Sequence, residues 1–261
     1  MSLTGRTHFP VGMRSAFVAA LGLALAATQG AGRAAETPCS ARSADHAPAV
    51  VELYTSEGCS SCPPAEHWLS NLEGAHDVIA LAFHVDYWDS LGWKDRYAQP
   101  AFTQRQSSSQ RTTGARFAYT PQVIVDGKDT PAWPGLTSAA LGASRGAAAP
   151  VALQLAAQGH ALELTVIPGA LAPARMAGYI AVVDDGLTSR PSAGENRGAT
   201  LQESGVVREL LPWVAVAPTS TTLHFSVSSP PEPGATRRFV AVATTADGAR
   251  PLQAVALACG R

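Results

Sequence analysis

Cys59 and Cys62 stand three positions apart in the segment VVELYTSEGCSSCPP, residues 50–64, directly after an apolar, β-branched run. Two cysteines at i and i+3 around the start of a helix bring their sulfurs within bonding distance without bending the chain. The first then lies near unpaired N–H groups and the positive end of the helix dipole, which favour an anion. A free thiol of pKa about 8.5 is only slightly ionised at neutral pH, but in dithiol motifs the first cysteine commonly falls to roughly 3.5–7.5. Such a thiolate attacks another disulfide through a mixed disulfide, which the second cysteine resolves. Redox exchange is therefore the first chemistry to test at Cys59-Ser60-Ser61-Cys62.

Two other readings compete. In an exported protein the blander reading of the pair is a permanent structural bridge. Two soft thiolates with an imidazole also suit Cu(I) or zinc, and His84, at the end of an apolar run, offers such an imidazole. The ordinary alternative for His84 is a hydrogen-bonded histidine at a strand end. The aromatics of HVDYWD (residues 84–89) and Trp93 read as packing for a long connection, and GENRG (residues 194–198) as a loop between strands. No phosphate-binding loop, Gly-x-Ser-x-Gly elbow or His-Glu-x-x-His pair is present. Nucleotide and hydrolase chemistry thus start without support.

The elements that would position these residues follow from hydrophobic periodicity. Residues 49–54 read as a buried strand and 64–72 as a helix, with Trp68, Leu69 and Leu72 at helical spacing. A residue before proline is pushed away from helical dihedrals, so the helix should begin at Pro63 with Cys62 as its cap. Residues 78–85 form a second continuous apolar run. A helix over 102–113, strands over 122–125 and 128–133, and a helix over 139–147 complete an alternating order, which predicts an α/β layer structure over residues 48–147. After AAAP the chain alternates with period two, as in Val151, Leu153 and Leu155 or Leu223, Phe225 and Val227. Asp247-Gly248 marks a hairpin. Residues 150–261 therefore read as a separate all-β, sandwich-like domain.

The 261 residues carry a formal net charge of −1 with 46% hydrophobic residues. That balance argues against nucleic acid as a main partner. Arg6 and Arg14 precede the apolar run AFVAALGLALAA and the small-residue stretch TQGAGRAAE, the three-part pattern of a secretory signal over residues 1–35. The run is short of the about 20 residues needed to span a bilayer, so no stable membrane insertion is expected after cleavage. The expected location is the periplasm or the medium. In that oxidising setting the four cysteines should pair. The pattern favours Cys59–Cys62 with Cys39–Cys259, the local pair and the pair near the chain's ends.

The segments VELYTSEGCSSCPPAE, FHVDYWDSLGWKD, YTPQVIVDG and GENRG resemble a family of exported bacterial proteins that is thioredoxin-like and of unknown function. The resemblance covers nearly the whole mature chain. It implies a thioredoxin-like fold before the β domain, with Cys59 attacking and Cys62 resolving. It places Pro121 of Thr120-Pro121 as a cis-proline facing the dithiol, and Glu52 as a buried acid that takes a proton from the resolving thiol. Three residues depart from the thioredoxin pattern: Gly58 replaces tryptophan before the first cysteine, Glu57 puts a negative charge close to it, and Pro63 follows the second. The expected function is an exported thiol–disulfide oxidoreductase acting on exported proteins or small thiols bearing disulfides. It needs no organic cofactor, because the dithiol carries the electrons. The alternative is a non-catalytic copper-handling or scaffold protein, with Cys59, Cys62 and His84 as the ligands of any metal.

Overall fold

The computed structural model describes residues 39–143 and 147–259. The expected secretory signal lies outside the described residues.

Strand β1 (Cys39–Arg42) leads to β2 (Ala49–Thr55), helix α1 (Pro63–Ser70), β3 (Val78–His84), α2 (Pro100–Thr113), β4 (Gln122–Val125), β5 (Lys128–Asp129) and a short α3 (Ser138–Gly142). Nine further strands follow: β6 (Val151–Gln158), β7 (Ala161–Pro168), β8 (Arg175–Asp185), β9 (Leu187–Ser189), β10 (Leu201–Glu203), β11 (Val206–Val216), β12 (Thr221–Ser226), β13 (Thr236–Thr245) and β14 (Pro251–Ala258).

The expectation of an α/β thioredoxin-like domain followed by a β-sandwich is not met. Strand makes up 43% of the described residues and helix only 15%. One eight-stranded mixed sheet, in the order β14-β13-β8-β11-β3-β2-β4-β5, draws its strands from both sides of residue 148. The join is the parallel pairing of Val206 on β11 with Ala82 on β3. Apart from this contact and the parallel β2–β3 pair, its neighbours run antiparallel. The reason lies in β8 and β13. Residues 180–183 of β8 and 240–243 of β13 are buried without interruption, as expected of strands covered on both faces. Strands of the smaller sheet such as β6 and β7 keep the period-two alternation that suggested a free-standing sandwich.

One face of the large sheet is covered at one end by α1 and α3, through Ala65, Leu69 and Leu141 against Val51, Leu53, Ala80 and Val123. At the other end an antiparallel sheet, β1-β6-β7-β12, packs Leu153, Leu155, Leu164 and Val166 onto Ile180, Val182 and Ala241. Helix α2 lies on the opposite face, with Phe102 against Phe83 and Tyr54 in one apolar cluster. The Cys39–Cys259 disulfide ties β1 of the small sheet to the end of β14 at the edge of the large one, across a sequence separation of 220 residues. Closing so long a loop restricts the unfolded chain by up to about 5 kcal/mol in the chain-entropy view.

Two local expectations shift. The second of the paired short strands ends at Asp129, not Trp133, and α3 spans only Ser138–Gly142, with Thr137 accepting from the Ala140 amide as its cap. At Asp247-Gly248 the hairpin joins β13 to β14, with Gly248 at φ 74°.

Candidate functional site

Strand β2 delivers the chain to a turn, where the Cys59 amide donates to the Ser56 carbonyl at 3.1 Å and the Cys62 amide to the Cys59 carbonyl at 3.1 Å. Cys59 and Cys62 form a disulfide with their Cα atoms 5.4 Å apart. Helix α1 starts at Pro63 with Cys62 as its N-cap, as the sequence indicates. Cys62 nevertheless keeps helical dihedrals (φ −80°, ψ −35°) ahead of a proline. The turn closed by its own amide and by the disulfide holds it there against the usual preference.

This start alters the electrostatics. Pro63 and Pro64 have no N–H, and the next two amides, of Ala65 and Glu66, both donate to the Cys62 carbonyl. The first turn therefore offers little of the free amide array that normally stabilises an anion. Hydroxyls take that place. The Thr120 hydroxyl donates to Cys59 Sγ at 3.4 Å, and Ser61 Oγ lies 3.4 Å from the same sulfur. Thr120 is fixed in turn by the Trp88 indole N–H at 2.8 Å. The Thr120–Pro121 peptide bond is cis, and Pro121 leads directly into β4. Gly58 fits closely beside this arrangement, since a Cβ there would stand 3.2 Å from Trp88 Cβ.

The loop containing Gly194-Glu195-Asn196-Arg197-Gly198 closes over the dithiol. Asn196 Nδ2 donates to the carbonyls of Glu57 (2.9 Å) and Cys59 (3.0 Å). The Glu195 carboxylate accepts from the amide and hydroxyl of Ser60, at 3.1 and 2.7 Å, and these bonds hold its pKa below the usual range. Gly194, at φ 73°, lets this loop pass over Trp93, whose Cβ would be 3.1 Å from a Cβ at 194. Both cysteines are 0% exposed, whereas Ser60 and Ser61 face solvent.

Other predicted site residues stand elsewhere. Glu52 lies with Val50 and Tyr54 on the α2 face of β2, opposite the face that carries α1. Its carboxylate accepts from Arg105 at 2.6 Å and from the Tyr179 hydroxyl at 2.7 Å, and the guanidinium sits 4.8 Å from the Tyr179 ring centre. The structure does not bring it to the dithiol. The acid on the α1 side is Glu66, one turn beyond Cys62, which accepts from Thr55 Oγ1 at 2.5 Å. Burial on an apolar helix face, in step with Leu69, is the signal that marks it.

His84 is also placed apart from the sulfurs, so Cys59, Cys62 and His84 do not form a ligand set. Its Nδ1–H donates to Asp95 at 2.7 Å, and a ring nitrogen gathers with carboxylate oxygens of Glu66 and Glu203 within 4.8 Å of one another. Burial opposes a charged imidazole, but Asp95 overrides it and pushes the pKa up to about 10. Burial drives the Glu203 carboxyl up to about 8 and raises Glu66 as well. Glu57 is buried too, its Oε2 accepting the Trp93 indole N–H at 2.5 Å. Burial, with Asp95 beside it, raises its pKa. Trp88 and Trp93 thus do more than pack: each positions a polar group at the site.

A family model described as "Protein of unknown function (DUF1223)" matches residues 50–244, most of the chain. The chain belongs to this family. The DUF1223 match runs from β2 through β13 and so includes the dithiol, the loop over it and the shared sheet. Among solved structures the chain is similar to protein AGR_C_4864 from Agrobacterium tumefaciens, at 23% identity and TM-score 0.62, over 84% of this chain and 97% of that one. It is also similar to HBP35 of Porphyromonas gingivalis, at 15% identity and TM-score 0.56, over 82% of this chain and 76% of that one. Both likenesses are of fold. No curated protein matches the chain.

Proposed function

We propose that this DUF1223 protein is a thiol–disulfide oxidoreductase whose Cys59–Cys62 pair cycles between disulfide and dithiol. The observation that carries the reading is the asymmetry between the two sulfurs: Cys59 Sγ receives the Thr120 hydroxyl and adjoins Ser61 Oγ. A hydroxyl aimed at a sulfur stabilises its thiolate more than its thiol, which suits Cys59 to attack. In the reducing direction, the Cys59 thiolate attacks a partner disulfide. One partner sulfur leaves as a thiolate, and Cys62 then attacks the mixed disulfide to restore the Cys59–Cys62 bond. Two electrons pass to the partner, and both of its sulfurs leave as thiols after protonation.

Full burial of both cysteines means that exchange needs the Glu195–Asn196 loop to release the Ser60 turn. The expected partners are proteins or small thiols bearing disulfides, met in the periplasm or outside the cell. Two disulfides suit such an oxidising compartment. No helix among the described residues is long and apolar enough to cross a membrane. The likeness to thioredoxin-like proteins supports the reading through the dithiol segment and Thr120-Pro121, not through the fold as a whole. Copper handling has less support, because the His84 imidazole is turned toward carboxylates rather than sulfurs. The test is the midpoint potential of the pair against glutathione or dithiothreitol buffers. A value above about −300 mV fits exchange, and one below it fits a permanent bridge.

A further inference from the structure

Four carboxylates, from Glu57, Glu66, Asp95 and Glu203, converge on one imidazole in the interior between α1, the end of β3 and β10. All four belong to residues no more than 5% exposed, and His84 is fully buried. The partners that hold them are neutral apart from His84: Trp93 on Glu57, Thr55 on Glu66, Ser189 on Glu203, and backbone amides on Asp95. Buried negative charge in this excess needs either protons or a cation. Asp95 fixes the imidazole by its Nδ1–H, which leaves the Nε2 lone pair as the free donor. Among the described residues, both His84 Nε2 and Glu203 Oε2 lack any hydrogen-bond partner. An imidazole oriented by a carboxylate on one nitrogen, with the other directed at two further carboxylates, is the arrangement that metal-binding histidines adopt.

We propose that Glu66, His84 and Glu203 bind a divalent transition-metal cation, with Asp95 as the group that orients the imidazole. One nitrogen and two carboxylate donors suit zinc or manganese and lack the thiolate that Cu(I) prefers. Their ligand atoms lie within 4.8 Å of one another. That is slightly wider than bonds of about 2.0–2.2 Å to a common ion impose, so small side-chain rotations complete the site. A cation there neutralises the carboxylates and replaces the proton that the buried imidazole otherwise attracts. A surface cleft lined by Glu57, Trp93, Arg96, Thr188, Ser189 and Arg190 adjoins the cluster, and Ser189 from that cleft bonds Glu203, which provides a route inward.

The site is independent of the dithiol reading, and its test keeps the two apart. The protein is treated with chelator, with both disulfides left intact and free thiols shown to be absent. It is then unfolded in denaturant, refolded with Zn²⁺ or Mn²⁺, desalted, and assayed for metal content and melting temperature. The expected result is one equivalent of zinc or manganese retained and a raised melting temperature. Glu203→Gln and Glu66→Gln should each lower affinity more than about tenfold, and Asp95→Asn by roughly 10–100-fold. Two glutamine variants guard against one failing to fold. Retention of neither metal by the unaltered protein would overturn the proposal, as would equal retention by the glutamine variants. A Glu203→Gln protein that melts higher than the unaltered one in the presence of metal would likewise identify the cluster as proton-sharing acids.

Discussion

Asn196 reaches across from the loop between β9 and β10 to hold the backbone on both sides of Gly58, donating to the carbonyls of Glu57 and Cys59 at 2.9 and 3.0 Å. With Glu195 on Ser60, it is the contact that seals the disulfide from solvent. Two hydrogen bonds of about 1 kcal/mol each set the barrier to opening this seal. Asn196→Ala should therefore speed reduction of Cys59–Cys62 by dithiothreitol roughly 30-fold. Quenched-flow thiol titration measures it, and an unchanged rate would place the barrier elsewhere.

Thr120 supplies the hydroxyl directed at Cys59 Sγ. A hydrogen bond to a charged acceptor contributes about 1.5–3 kcal/mol. Thr120→Val should raise the pKa of the reduced Cys59 thiol by about one to two units, and Thr120→Ser should restore it. The pH profile of alkylation of the reduced protein reads this directly, and identical profiles for all three would remove the hydroxyl from the account.

Glu52 is held by Arg105 and Tyr179 on the far face of β2. Its loss leaves a largely buried guanidinium without its partner. Glu52→Ala should cost about 3 kcal/mol of folding stability by denaturant titration while leaving the alkylation profile of Cys59 unchanged. A shifted profile would restore Glu52 to the proton path.

Glu73 stands beside Asp185, and burial together with that neighbour raises its pKa to about 7. The native state thus binds the proton more tightly than the unfolded chain does. Its contribution is full below the ordinary carboxyl pKa and is lost as pH rises through about 7. Stability should decline from pH 5 to 8, and Glu73→Gln should flatten that slope. The side chain is only partly buried and still meets solvent, so the slope is shallow.

Much of the site was legible because its signals are local. The spacing of Cys59 and Cys62, the apolar runs that became β2 and β3, and the helical spacing of Trp68, Leu69 and Leu72 all act within one element. The pairing of Val206 with Ala82 is different, since nothing in β11 records which strand it will meet, and that one contact turns two expected domains into a shared sheet. Glu203 was hidden for the same reason. A glutamate at the end of a three-residue strand looks solvated until the fold packs it against His84. The uninterrupted buried runs of β8 and β13 were the available hint, because a sandwich open to solvent on its outer faces would alternate.

The central claim is that Cys59 exchanges partners, and trapping tests it most directly. Cys62→Ser, reduced and mixed with glutathione disulfide under native conditions, should acquire one glutathione on Cys59 by intact mass. Cys59→Ser treated alike should stay largely unmodified at Cys62. If Cys59 remains unmodified until the protein is denatured, the pair is a structural bridge and the proposed exchange is contradicted.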